Sequence, residues 1–196
     1  MKAPNLSGLN PGIALIWDMF EEASDALSVK EQELLSVASI GEINDLAFAR
    51  FTHMSEAEIK AFFKKSKDEL SAMTIMNLLS AAEGCIRVDF ERRAQSETET
   101  DPVSVTFQFI ARYCIKNRNN PQLGIKDILM IYLENDPSIK DKLEKFEKYW
   151  PYRNWLCHGR WAALPFKDEP LPEPQEFMVA IKSLLDALEF RGSMNG

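Results

Sequence analysis

A chain of 196 residues, 45% hydrophobic and 27% charged, has the length and make-up of a globular protein that buries a substantial core. Its formal charge of −7 argues against broad, charge-driven binding to nucleic acid, because phosphate contacts dominate that affinity. Charge interrupts every apolar run short of a membrane span, and the opening MKAPNLSGLNPG carries Pro and Gly where a signal peptide is apolar, so a cytoplasmic protein is expected.

In chain order, residues 1–9 read as a short arm, and Asn10-Pro11 as an N-cap and first-turn pair. Ile13, Ile16, Trp17, Phe20 and Ala23 come next at helical spacing, and a second helix is expected over about 29–51, with Gly41 weakening its continuity. Ser55-Glu56-Ala57-Glu58 and Ser66-Lys67-Asp68-Glu69 both fit the capping box, predicting a short helix and then a long one to about Arg93. The long helix carries Leu70, Met73, Met76, Leu79, Ala82, Ile86 and Phe90 on one stripe. QSETETDP, 95–102, is expected to be a flexible loop. Further helices are predicted at about 103–118, 124–135 and 138–162, the last kinked or restarted at Pro151. A Pro-rich connector, 163–174, leads to a final helix at about 175–190. No strand, repeat or glycine-rich phosphate loop is evident. The expected fold is all-α: one helical bundle of about six to eight helices.

Three cysteines, Cys85, Cys114 and Cys157, are odd in number and widely spaced, which fits neither a disulfide framework nor a CxxC zinc site. They are expected to be buried or half-buried free thiols. Only His53 and His158 are available, so no metal or other cofactor is expected. His53 falls in a helix-to-helix loop and reads as a surface residue.

The most concentrated chemistry lies in YRNWLCHGRW, 152–161, which holds Arg153, Asn154, His158 and Arg160 among aromatic residues. With a helix restarting at Pro151 and about 100° per residue, Arg153 and Arg160 align, Asn154 and His158 form an adjacent row, and Trp155 and Leu156 face the bundle. Arg153 and His158 stand about 140° apart on such a wheel. Such a patch can be purely structural, capping carbonyls, pairing with carboxylates or stacking on tryptophan. Glu83, a carboxylate in the apolar run LLSAAEGCIRV, stands four residues before Arg87 and is expected to pair with it or to hold the arginines of this patch. Arg92 and Arg93 read as solvated, or as edging a nucleic-acid groove.

Arg153-Asn154-Trp155-Leu156-Cys157-His158, with Gly159-Arg160-Trp161 directly after, resembles the Arg–polar–x(3–5)–His motif of a prokaryotic branch of the HEPN superfamily, the all-helical "higher eukaryotes and prokaryotes nucleotide-binding" domains. The specific match covers about ten residues; LLSAAEGCIRVDFERR, 78–93, is similar to the family's long central helix. The expected position, at the start of a late helix, also fits.

That resemblance implies metal-independent endoribonuclease activity, in which a ribose 2′-OH attacks the adjacent phosphate to leave a 2′,3′-cyclic phosphate. His158 would serve as proton donor or acceptor and Arg153 as phosphate ligand, with Asn154 and Arg160 supporting. Glu83 and Arg87 would stand behind them. One chain supplies one motif histidine, so the resemblance also implies a homodimer with a composite site. RNA would be the substrate and an antitoxin or regulatory protein a possible partner, in a toxin, stress or defence setting. The alternative is a non-catalytic HEPN dimer that binds nucleotide, RNA or a protein. A plain interaction protein, with the acidic N-terminal helices as its partner surface, is a third reading.

Overall fold

The computed structural model describes residues 12–40, 46–116, 123–160 and 173–188. Among these residues there are six α-helices, two short 3-10 segments and no strand. The helices are α1 (Ile13–Ile40), α2 (Glu56–Gln95), α3 (Pro102–Lys116), α4 (Ile125–Asn135), α5 (Lys140–Cys157) and α6 (Pro174–Ala187). The arm at 1–9 and nearly all of the connector at 163–174 lie outside the described residues.

Helix α2 is the spine. Its 40 residues run about 60 Å at 1.5 Å per residue, and α1, α3, α4, α5 and α6 all pack against it. Being covered from several directions explains why its buried positions between Ala72 and Ala94 form a broad face around about half the helix rather than one narrow stripe: Ala81, Ala82, Cys85, Ile86, Asp89 and Phe90 are all buried. Met73, expected inside, is 52% exposed. A satellite cluster of Leu34, Phe51, Ile59 and Phe63 joins α1 to the beginning of α2, with the Arg50 guanidinium 4.5 Å and 4.8 Å from the Phe51 and Phe62 ring centres.

The two capping-box matches predict two helix starts, and only one of them is a start. Ser55 accepts from the Glu58 amide and Glu58 reaches back to the Ser55 amide at 2.8 Å. Ser66 instead donates to the Phe62 carbonyl at 2.9 Å, the back-bonding of a serine inside a helix, and α2 runs through without interruption. The first two expected helices likewise merge into α1, with 41–45 outside the described residues.

The loop between α2 and α3, expected to be flexible, is tied down. The Ser96 hydroxyl oxygen accepts from the Thr98 and Glu99 amides at 3.3 Å and 3.1 Å, and the Glu99 carbonyl accepts from Gln108 at 2.9 Å. Beneath it lies a buried polar network on Asp89. Arg92 and Arg93 each donate to this carboxylate at 2.7 Å, and the buried Tyr132 hydroxyl donates from α4. Arg92 also pairs with Glu99, and Arg93 with Asp101 at 3.2 Å. Arg93, expected to be solvated, keeps only 14% of its side chain exposed. Burial and the Asp89 charge push the Tyr132 phenol far above its ordinary value.

Candidate functional site

The ten-residue stretch closes a helix rather than opening one. Pro151 sits inside α5 and does not restart it. It is exposed, so the Glu147 carbonyl that loses its helical donor can turn to solvent. The helix ends just after Cys157, and the backbone there shows why. The Gly159 amide donates to the Leu156 carbonyl at 3.2 Å and the Arg160 amide to the Trp155 carbonyl at 3.1 Å. With Gly159 at φ 79°, this is a Schellman stop: His158 is the cap residue, and glycine fills the left-handed position. The motif therefore ends a late helix, where the resemblance places it at the start of one.

That glycine has a measurable role. A Cβ at position 159 meets nothing within 4 Å, so Gly159→Ala is expected to cost about 1 kcal/mol from backbone strain alone. Urea unfolding followed by circular dichroism checks this; no loss would mean that the stop tolerates an L-residue there.

Beyond the stop the helical wheel fails. Arg160, at φ 60°, does not align with Arg153 but turns back toward α2, donating to both Glu69 carboxylate oxygens at 2.6 Å and 2.8 Å. Its guanidinium lies 5.9 Å from the Trp155 ring centre. Arg153 donates to Glu83 at 3.3 Å and to the Asn154 side-chain oxygen Oδ1 at 3.3 Å, and stands 5.4 Å from the Trp150 ring centre. Glu83 also accepts from Arg87 at 2.8 Å, and Arg87 reaches the Leu123 carbonyl at 3.2 Å. Glu83 thus meets both alternatives expected of it. Two arginines fasten the end of α5 to two points on α2 that are about 21 Å apart along its axis.

The Arg160–Glu69 pair has a pH signature. The bond from Arg160 holds the Glu69 carboxyl below its ordinary value of 4.5. Its stabilisation is full above that value and is lost as pH falls through the lower folded value. With Glu69 53% exposed, it is worth under about 1 kcal/mol. The difference in thermal midpoint between wild type and Arg160→Ala is expected at pH 6–7 and should shrink below about pH 4. A difference that is flat with pH would assign Arg160 to packing on Trp155 instead.

His158 differs from its neighbours. It is exposed at the end of α5, and its imidazole has no hydrogen-bond or ion-pair partner among the described residues. Arg153 uses two of its five N–H groups on Glu83 and Asn154, while its Nε is buried and without a partner. With 27% of its side chain exposed, donors on the two terminal nitrogens remain to meet a phosphate. Glu83, Arg87 and Arg153 together carry one net positive charge. Leu156 faces the core, as expected; Trp155, expected there too, is only half-buried and stacks on Tyr152, which is itself buried. Cys157 is exposed and Cys85 buried; the Cys114 side chain and Trp161 lie outside the described residues. His53 is exposed, in a turn.

Sequence reasoning missed Glu69, which stands 91 residues from its partner and locally reads as part of a capping box. It also missed Asp89, although arginines three and four residues later are a readable signal.

A cavity of about 540 Å³ lies elsewhere, between α1 and the start of α6, lined by Trp17, Phe20, Glu21, Glu22, Asp25 and Glu173 among others. Its carboxylates are the wrong sign for phosphate, and none of the motif residues lines it. Among the described residues no group of His, Cys, Asp and Glu could hold a metal ion, and no helix is long and apolar enough to cross a membrane. Comparison with protein-family models, curated proteins and solved structures finds no significant match to the chain.

Proposed function

We propose that the chain is a HEPN-type, metal-independent endoribonuclease whose site is built on Arg153 and His158. The observation that carries this reading is the contrast within one helix end: Arg153 is held by a carboxylate from α2, while His158, five residues further on, stands exposed and unpartnered among the described residues. A residue with no structural partner is available for proton transfer. In the reaction, one imidazole takes the 2′-OH proton as the 2′-oxygen bonds to phosphorus. A second imidazolium protonates the 5′-oxygen as the P–O5′ bond breaks, leaving a 2′,3′-cyclic phosphate and a 5′-OH end. Arg153 donates to the phosphoryl oxygens as charge develops there, with Asn154 at its side. Two histidines require two chains, so the active form is a two-fold dimer with both helix ends in one groove. An antitoxin or regulatory partner would cover that groove.

Cleavage of single-stranded and structured RNA in excess EDTA tests the reading. Products with cyclic-phosphate ends support it; RNA left intact at high enzyme concentration overturns it.

A second reading, a non-catalytic helical dimer that binds nucleotide, RNA or protein, is favoured by a specific observation. Both arginines are engaged by carboxylates of the same chain, and His158-Gly159-Arg160 forms a helix stop. Binding without cleavage would select it.

A further inference from the structure

We infer that the outer face of α3 is a stacking platform for single-stranded RNA, leading to the Arg153–His158 site; the inference rests on the nuclease reading and names how its substrate is held.

The face is aromatic and exposed. Val105, Phe109 and Tyr113 recur every fourth residue and are 50%, 68% and 58% exposed. The rings of Phe109 and Tyr113 lie 22° from parallel with centres 6.5 Å apart, so they present near-parallel π-faces along the helix. Arg112, also exposed, falls within about 60° of Phe109 on the wheel. Aromatic faces with an adjacent guanidinium are the elements of sequence-tolerant base stacking.

Charge selects the occupant. Residues 102–126 hold four cations and no carboxylate, in a chain with 30 carboxylates among 196 residues. The only other carboxylate-free run of twenty residues or more is 148–167, which also holds four cations and contains the motif. Outside these two runs the chain sums to −15, with 15 cations against 30 carboxylates, so they are its longest stretches of unopposed positive charge.

The fold links the two through α2. Helix α3 lies antiparallel on α2: Arg93 reaches Ser104, and Phe90 packs on Phe107. Continuing that register by one or two turns sets the end of α3 toward the Glu83–Arg87 region of α2. Glu83 holds Arg153, and Arg87 bridges from Glu83 to the Leu123 carbonyl at the start of α4. A strand of RNA stacked on Phe109 and Tyr113, on the side of α3 turned from α2, would have to pass around the flank of α3 at Arg112 to reach Arg87 and Arg153. An apolar stripe of this kind could also seat a protein, including a second copy of the chain; the absence of carboxylates across 25 residues favours a polyanion.

The test uses a fluorescein-labelled 12-nucleotide oligouridylate, with His158→Ala as background so that binding is read without cleavage. Anisotropy titrations compare that protein with versions also carrying Phe109→Ala/Tyr113→Ala or Arg112→Ala. The aromatic pair is expected to weaken binding by about tenfold or more. Arg112→Ala is expected to flatten the dependence of log affinity on log salt by about 0.7. Sedimentation of each variant accompanies the titrations, because both aromatic side chains are exposed and their loss should leave fold and oligomeric state unchanged.

Unaltered affinity in the double variant, or no binding of the oligonucleotide by the His158→Ala protein, overturns the platform. So does dissociation of an oligomer in the double variant, which makes the stripe a protein contact. The outcomes separate the two proposals. Platform-dependent binding by a wild type that never cleaves RNA sinks the nuclease and keeps the platform. Cleavage with an unchanged KM in Phe109→Ala/Tyr113→Ala does the reverse.

Discussion

Asp89→Ala is expected to destabilise the fold by about 3–5 kcal/mol, the range for removing one partner of a buried charge network. Its carboxylate accepts from Arg92, Arg93 and Tyr132, joining α2 to α4 and lying under the tied loop before α3. Without it, Arg93 keeps only Asp101 and Ser104, and the buried Tyr132 hydroxyl loses its acceptor. The desolvation of a guanidinium with 14% of its side chain exposed is then offset only by Ser104 and by Asp101, a carboxylate 43% exposed. Tyr132→Phe, which removes one hydroxyl and leaves both ion pairs, should cost about 1 kcal/mol. Urea unfolding of the three proteins, with the slope m compared to exclude a change in the unfolded state, gives the answer. A loss below about 1 kcal/mol for Asp89→Ala would mean that the network is solvated and contributes little to the core.

His158→Ala is expected to lower kcat by about 10²–10⁴, the usual worth of a general acid or base, which is roughly 3–5 kcal/mol of transition-state stabilisation. The same substitution should leave stability within about 0.5 kcal/mol, because the imidazole is exposed and bonded to nothing among the described residues. This pairing of lost activity with intact stability is what a merely structural histidine cannot produce. Arg153→Ala is a less clean probe, since it also removes a partner of Glu83 and a contact with Trp150. RNA cleavage in EDTA, alongside thermal unfolding of the same samples, is the measurement. Equal cleavage by wild type and a folded His158→Ala would remove His158 from the mechanism.

The all-helical architecture is legible because helical period and turn residues agree along most of the chain. The breaks from α3 to α6 fall within a few residues of their expected places, each marked by Pro, Gly or Asn. The errors have physical causes. Ser66 and Glu69 stand at capping-box spacing, but a serine inside a helix bonds its own turn, and only the absence of a chain break distinguishes the cases. Gly159 is legible as a helix stop, yet Trp161 and the apolar residues after it suggest continuation. Glu83 betrays itself as a carboxylate in an apolar run. Glu69 does not, because its environment is polar and Arg160 reaches it across a tertiary contact that no local pattern encodes.

Glu83 serving both Arg87 and Arg153 makes the order of substitutions among these three positions matter. A lineage that loses Arg87 first keeps a simple one-to-one pair between α2 and α5. A lineage that loses Glu83 first passes through a state in which two guanidinium groups face each other without a counter-charge. The three positions are therefore not independent units of variation. Loss of an arginine is the milder first step at this end of the molecule, and loss of the glutamate the harsher one.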